Sequence, residues 1–242
     1  MISSAQSEEI AKRYGLGAIP ESVIRLTRLV AGQDADLAMI ATVIAQDKGL
    51  SERLLRLAFP RETTVRTATA DEIETALMRT GMGSIFVLAL GDLLVRAISK
   101  TFHTMLGIQL ELTPASAAPA CAGRQIVSEV TFSGKAGGRV YVHQSEDNAR
   151  LLTARLLGLE TTDPMTVDEI GDAIAEISSM GAGNFLSNLR DAGLPCKLGS
   201  PSMARSDAFQ LKPGPGGSRE QMALRSADLV IFVDICVDEW NF

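Results

Sequence analysis

The stretch TVDEIGDAIAEISSMGAGNFLSNLRD, residues 166–191, decides how this chain folds. Thr166 and Glu169 stand three positions apart, which is the capping box that opens many helices. The apolar residues behind them recur at helical spacing and predict one long helix: Ile170, Ala173, Ile174, Ile177, Met180 and Phe185. Gly181 and Gly183 weaken a helix that stands alone, so we expect another backbone to pack tightly against that side.

On both sides of this helix, placed at residues 167–191, the hydrophobic pattern has a period of two, which is typical of strands. The predicted strands lie at residues 126–132, 139–142, 209–212, 222–225 and 229–235. Gly137 and Gly138 predict the turn of the first hairpin. A shorter helix is predicted between Ser145, a capping residue, and Gly158, a residue that ends helices.

Residues 19–106 carry helical patterns, with one helix start predicted at Asp36 and one helix end at Gly81. The last apolar run, residues 85–106, contains Gly91, and glycine inside a helix costs about 1 kcal/mol relative to alanine. The chain therefore predicts an α+β fold, in which an N-terminal all-α helical domain precedes an α/β domain with an antiparallel sheet and a long helix.

The composition is that of a globular protein and disfavours nucleic acid as a partner. The chain has 242 residues, of which 46% are hydrophobic and 21% are charged. Its formal net charge is -6 and it has no basic run, whereas phosphate binding relies on clustered lysine and arginine. For the same reason we expect no binding to an anionic membrane surface.

The sequence gives no sign of export, of a metal site or of a cofactor. The N-terminus has neither a basic region nor an apolar core, so it does not resemble a signal peptide. The longest apolar stretch, residues 85–94, is too short to span a bilayer. The three cysteines are far apart and lack zinc-ligand spacing. We therefore expect a cytoplasmic protein with reduced thiols and with no metal or cofactor.

Several segments of the C-terminal half carry a family resemblance through their order and spacing. They are residues 102–107, 130–134, 138–140, 156–158, 168–177, 180–184 and 193–195. With these segments, residues 95–238 resemble the CheX branch of the CheX/CheC family of chemotaxis phosphatases. The resemblance implies an antiparallel sheet with a long helix that carries the functional residues.

The N-terminal segments 19–21, 35–37, 44–47, 50–58 and 76–81 resemble the first portion of an HDOD domain, over residues 16–92. Phe59 stands where that family usually has asparagine, and the domain looks cut short where the CheX-like helix begins. HDOD domains are regarded as signalling modules without metal-hydrolase residues. We accordingly expect an HDOD-like partial domain over residues 1–92 and a CheX-like domain over residues 93–242.

The CheX resemblance implies a chemistry and a set of residues for it. Family members remove the phosphoryl group from the aspartate of a CheY-like receiver domain. A helical glutamate engages the receiver's lysine, and an asparagine three residues later orients the attacking water. Glu176 matches that glutamate, Asp172 matches an earlier acidic position, and Ser179 stands at the asparagine position. Serine lacks the amide and is shorter, so it cannot hold a water at the same distance.

This departure leaves three hypotheses open. The protein is an adaptor that binds a receiver through Asp172 and Glu176, or a phosphatase with an altered motif in which Glu176 and Ser179 are catalytic. In the third hypothesis it makes no receiver contact and acts as a structural partner, with a homodimer formed through its sheet. Asn184 and Asn188 lie further along the helix and would meet a receiver only in a different docking register.

Overall fold

The computed structural model describes residues 18–32, 36–59, 69–118, 121, 123–207, 209, 211, 218–227 and 229–240. Within these ranges the chain forms N-terminal helices followed by an antiparallel sheet that packs against helices. The predicted α+β fold is therefore confirmed.

Three short helices begin the described chain: α1 (Glu21–Val30), α2 (Leu37–Ala45) and α3 (Lys48–Ala58). The side chain of Asp36 caps α2 by accepting a hydrogen bond from the amide of Ala38, as the sequence predicts. The side chain of Asp47 caps α3 in the same way. Their buried apolar residues, including Leu26, Ile44 and Leu54, pack into the main hydrophobic core.

Helix α4 (Ala70–Leu106) links the N-terminal helices to the sheet. At Gly81 the backbone turns to φ 75° and ψ 163°, so the predicted helix end is a kink inside a longer helical element. The helix continues without interruption past Gly91 and past the expected domain boundary between residues 92 and 93. That boundary stays a prediction.

Helix α4 is also long and apolar enough, by length and composition, to cross a membrane. Its most apolar window has a mean hydropathy of 1.7, and 61% of that window is buried inside the protein. The helix contacts α1, α2, α3 and α6, as well as strands of the sheet, which is the environment of a core helix.

The sheet contains seven strands among the described residues. They are β1 (Glu111–Pro114), β2 (Gln125–Gly134), β3 (Ala136–Ser145), β4 (Cys196–Leu198), β5 (Ser202–Ser206), β6 (Ser218–Arg225) and β7 (Val230–Trp240). The strand order is β1-β6-β7-β3-β2-β4, with β5 also paired to β2, and every pairing is antiparallel.

Two further helices, α5 (Glu146–Leu157) and α6 (Val167–Asp191), lie between β3 and β4 in the chain. Ser145 caps α5 and Gly158 ends it, as predicted. Helix α6 packs beside α4, while α5 contacts β3 and α4 contacts β6 and β7. Side chains from one face of the central strands, such as Val140 and Ile235, complete the core under these helices.

Two sequence predictions about the strands are wrong. Gly137 and Gly138 do not form the hairpin turn, because they lie within β3 at a bulge, and the chain turns at Lys135 instead. Gly138 leaves no room for a side chain there, since a Cβ at this position would collide with the carbonyl oxygen of Cys236. The strand predicted at residues 209–212 is absent at Phe209 and Leu211, while its other two residues lie outside the described ranges.

Candidate functional site

Helix α6 begins at a fully formed capping box. The hydroxyl of Thr166 accepts a hydrogen bond from the amide of Glu169 at 3.2 Å, and the carboxylate of Glu169 accepts one from the amide of Thr166 at 2.7 Å. The bonds that this carboxylate accepts from the amide of Thr166 and, at 2.8 Å, from its hydroxyl hold the pKa of the Glu169 carboxyl below its ordinary value. The box fixes where the helix starts and therefore which of its later residues face outward.

The three residues singled out in the sequence lie on the exposed side of α6. Asp172, Glu176 and Ser179 are all exposed, and their spacing of four and then three residues keeps them on one face. They span seven residues, about 10 Å along the helix axis. Met180 lies next to them with 42% of its surface exposed. The site is thus a narrow acidic face with an apolar residue at one end.

The hydroxyl group of Ser179 is bound to its own helix. Its Oγ donates a hydrogen bond of 2.7 Å to the carbonyl oxygen of Ala175, one turn earlier. With the hydrogen directed at the backbone, the outward side of Oγ offers only its lone pairs. An asparagine amide at this position would reach further from the helix and present both donors and an acceptor.

The opposite face of α6 is held against α4 by one close approach and two asparagine hydrogen bonds. A Cβ at Gly181 would lie 2.7 Å from Cδ1 of Ile98, so α4 packs closely against this glycine, through a side chain and not through the backbone that the sequence led us to expect. Asn184 donates a bond of 2.9 Å to the hydroxyl of Thr101. Asn188 donates one of 2.9 Å to the carbonyl oxygen of Leu93.

These contacts show that both asparagines bind α4. Asn184 and Asn188 are partly buried and face α4, so they do not lie on the outward face with Glu176. Gly183 differs from Gly181, because a Cβ there would meet nothing within 4 Å. Only one of the two glycines is therefore needed for packing.

A second cluster, which the sequence analysis missed, joins the N-terminal helices to the sheet. Arg53 on α3 is buried and donates to both carboxylate oxygens of Glu220 on β6, at 2.9 Å from Nε and 2.6 Å from Nη2. Its Nη2 also donates to the carbonyl oxygen of Leu88 at 2.9 Å, and its Nη1 lies 3.5 Å from Asp92. One guanidinium group thus contacts three elements: α3, α4 and β6.

Burial acts on both members of this pair. Burial raises the pKa of the Glu220 carboxyl, while the charge of Arg53 acts in the opposite direction. Burial alone would lower the pKa of Arg53, but Glu220 and nearby carboxylates raise it above its ordinary value. The bidentate contact favours the charged form of both groups, and Glu220 is the member that acid would neutralise.

Gly91 makes room for the pair. A Cβ at Gly91 would lie 2.2 Å from a carboxylate oxygen of Glu220 and 2.6 Å from Nη2 of Arg53. The glycine that appears as a weak point in the sequence is therefore the position at which α4 passes over the ion pair. A glycine within an apolar helical run, followed by Asp92, was the only sequence signal of this cluster.

A cleft of about 280 Å³ opens beside the pair, between α3, β1 and β6. The arginines that line it are Arg53, Arg56 and Arg219. Each of them lies within 4 Å of a carboxylate, so no unpaired cation lines the cleft among the described residues. The same part of the chain contains no group of three or more histidine, cysteine, aspartate or glutamate side chains that could hold a metal ion.

Comparison with known families gives two matches. Residues 126–220 match the family described as chemotaxis phosphatase CheX, and residues 16–142 match the HDOD domain. The HDOD match runs past residue 92 into β2 and β3, so the two matches share residues 126–142. No curated protein matches the chain.

Among solved structures, chemotaxis proteins resemble the C-terminal part of the chain. The CheX protein of Desulfovibrio desulfuricans is 17% identical with a TM-score of 0.53, over 62% of this chain and 99% of that protein. The CheX protein of Vibrio vulnificus is 18% identical with a TM-score of 0.53, over 62% and 96%. The CheX of a CheX–CheY–BeF3–Mg complex from Borrelia burgdorferi is 18% identical with a TM-score of 0.51, over 62% and 98%. These likenesses establish the fold.

Proposed function

We propose that this chain, which belongs to the HDOD family and also carries a CheX domain, binds a CheY-like receiver domain as an adaptor without efficient catalysis. The observation that carries this proposal is the exposed face of α6, on which Asp172 and Glu176 lie together with Met180. The solved CheX–CheY complex of Borrelia burgdorferi supports it, because a CheX domain binds CheY there.

The charges on this face suit a receiver that presents a lysine. The side chain of Glu176 is exposed, and Asp172 adds a second negative charge one turn away. A lysine that approaches this face would pair with Glu176, while the exposed Met180 supplies apolar contact beside the charge.

The state of Ser179 favours binding over catalysis. Receiver dephosphorylation requires a water held in line with the phosphorus atom. The Ser179 hydroxyl donates to Ala175 instead, and its side chain ends close to the helix surface. Glu176 therefore supports docking, whereas nothing at residue 179 reproduces the reach of an asparagine amide.

The test measures binding and phosphate loss separately. The full chain is titrated by calorimetry with a CheY-like receiver from the same genome, with and without beryllofluoride as the phosphoryl mimic. We expect saturable binding to the activated receiver, and an unchanged decay rate of the phosphorylated receiver at saturating concentrations of this protein. Glu176→Gln should weaken binding, while Glu74→Gln, at an exposed site on α4, should not. Absence of binding to every CheY-like receiver of that genome would overturn the proposal.

A second candidate function is an aspartyl-phosphate phosphatase with an altered motif. It is favoured by the placement of Ser179 on the same exposed face as Glu176, three residues away. In this case the wild-type protein accelerates phosphate loss from the receiver, and Ser179→Ala abolishes that acceleration. A Ser179→Asn variant separates the two candidates further, since a gain of activity in that variant alone indicates that docking was present and only the amide was missing.

Two remaining features belong to the same proposal. A cytoplasmic location fits a partner of a receiver domain, and the burial of the apolar window of α4 supports it. A homodimer formed through the sheet stays a prediction, which sedimentation velocity on the purified chain would test.

A further inference from the structure

We propose that the N-terminal helices set the position of Glu176 on α6 through α4, with Arg53, Asn184 and Asn188 as positioning residues. The meaning of this inference for signalling rests on the proposed receiver binding. Its structural part does not, because it concerns how α6 is held.

The first link joins α3 to α4. Arg53 is 8% exposed, and its guanidinium contacts the carbonyl oxygen of Leu88 and the carboxylate of Asp92, which lie one turn apart on α4. Asp92 also accepts a hydrogen bond of 2.6 Å from Arg96. The arginine is anchored on its other side by Glu220 of β6. Any movement of α3 relative to the sheet therefore pulls on this part of α4.

The second link is α4 itself. From Gly81 onward it is a single helix that ends at Leu106, so residues 88–92 and residues 93–101 belong to one rigid segment. About 13 Å of helix separates Asp92 from Thr101 at 1.5 Å per residue. A rotation or translation applied near Asp92 is transmitted to Thr101 because the hydrogen-bonded helix does not stretch.

The third link joins α4 to α6. Asn188 is bound to Leu93, Asn184 to Thr101, and Gly181 lies against Ile98. Contacts at several successive turns fix both the height and the rotation of α6 relative to α4. Glu176 lies eight residues before Asn184, about 12 Å along the same helix, so its outward direction follows from these bonds.

Through these three links the N-terminal helices affect the geometry of the proposed receiver site, although they do not contact it. The expectation differs from that for an independent module, which could be perturbed at Arg53 without any effect on α6. Arg53 is a positioning residue in this sense, since its contacts are with Glu220 and α4 and it lies on a different element from Glu176.

The test uses the full chain with the double variant Arg53→Met and Glu220→Met. Replacing both members by apolar side chains avoids an unpaired buried charge, so we expect the variant to fold. Hydrogen exchange is followed in residues 172–180 of α6 and, as an internal reference, in residues 138–141 of β3, a strand that does not pair with β6. Receiver affinity is measured in parallel. Val127→Ala, at a buried site on the other face of β2, serves as a control for general destabilisation.

We expect exchange in residues 172–180 to rise by about fivefold or more relative to the reference residues of β3, and the receiver affinity to fall by a similar factor. The Val127→Ala variant should change exchange in both regions alike. The inference is overturned if the folded double variant exchanges in α6 like the wild type. If the double variant does not fold, Asn188→Leu tests the third link with the same readouts and the same criterion.

The outcomes distinguish this inference from the proposed function. If the wild-type protein binds no receiver but α6 responds to the double variant, positioning stands and receiver binding fails. If the receiver binds and α6 does not respond, receiver binding stands and positioning fails.

Discussion

The buried pair of Arg53 and Glu220 makes a sharp energetic prediction. Glu220 is 6% exposed, so Arg53→Met leaves a carboxylate in the interior without its counter-ion. Removal of one member of a buried ion pair costs about 3–5 kcal/mol of unfolding free energy. Small domains have total stabilities of about 5–15 kcal/mol, so this single change removes a large part of the margin.

The unfolding free energy that the double variant loses is expected to be smaller than the sum of the losses in the two single variants. With methionine at both positions no charge is buried, and such replacements are often neutral or stabilising by about 1–4 kcal/mol. The coupling in the double-mutant cycle should therefore amount to several kcal/mol. An exposed pair provides the matched control: Arg56 lies 3.6 Å from Glu52 with 41% of its side chain exposed, and Arg56→Met should cost about 1 kcal/mol or less.

Urea unfolding followed by circular dichroism measures the unfolding free energy of the wild type, Arg53→Met, Glu220→Met, the double variant and the control Arg56→Met. The pH dependence of this free energy gives a second test. Burial raises the pKa of Glu220 above its ordinary value of 4.5, and Arg53→Met removes the charge that opposes this rise. The native state of the variant then binds a proton at a pH where the unfolded chain has released it. Its stability consequently falls as pH rises through the native pKa and recovers as pH is lowered toward the unfolded value.

Two results would refute this reasoning. One is a cost below about 1 kcal/mol for Arg53→Met, which is the value of an exposed pair. The other is a double variant whose loss equals the sum of the two single losses, since that would mean that the two side chains do not interact.

The remaining predictions concern the helices. Gly91→Ala should destabilise the protein, because the alanine Cβ would collide with Glu220 and Arg53, although alanine is favoured over glycine in helices by about 1 kcal/mol. Gly183→Ala should instead stabilise the protein by about 1 kcal/mol in the same urea assay, because a Cβ at Gly183 meets open space. Thr166→Ala should cost about 1 kcal/mol by removing the cap of α6, and an unchanged unfolding midpoint would contradict this. Asn184→Ala should cost about 1 kcal/mol by removing the amide that donates to the Thr101 hydroxyl, and Ser187→Ala on the same helix is the comparison variant, which should cost less.

The pattern of apolar residues was sufficient to predict the long helix, its capping box and the antiparallel sheet. Those features depend on local periodicity and on side-chain-to-backbone bonds within a few residues, as at Thr166 and Glu169. Two strand predictions failed where tertiary contacts decide. Gly137 and Gly138 look like turn residues, but both lie within β3, and the lack of a side chain at Gly138 permits a close approach to β7.

In the candidate site, too, the sequence predicts some features and not others. The positions of Asp172, Glu176 and Ser179 on one face follow from helical spacing alone. The sequence could not indicate that Asn184 faces α4, because the rotation of the helix in its surroundings settles this. Nor could it indicate that Ser179 donates to Ala175, because that bond depends on the rotamer of the serine side chain.

The sequence by itself determined the kind of fold, the long helix and the acidic face that it presents, since each depends on residues that are close in the chain. Only the tertiary structure decided how the two parts of the chain are joined. Arg53 and Glu220 are 167 residues apart, and nothing local to either residue specifies that they meet under Gly91. The energetic reason is burial: at that depth a charge is stable only beside an opposite charge, and the fold alone brings the two together.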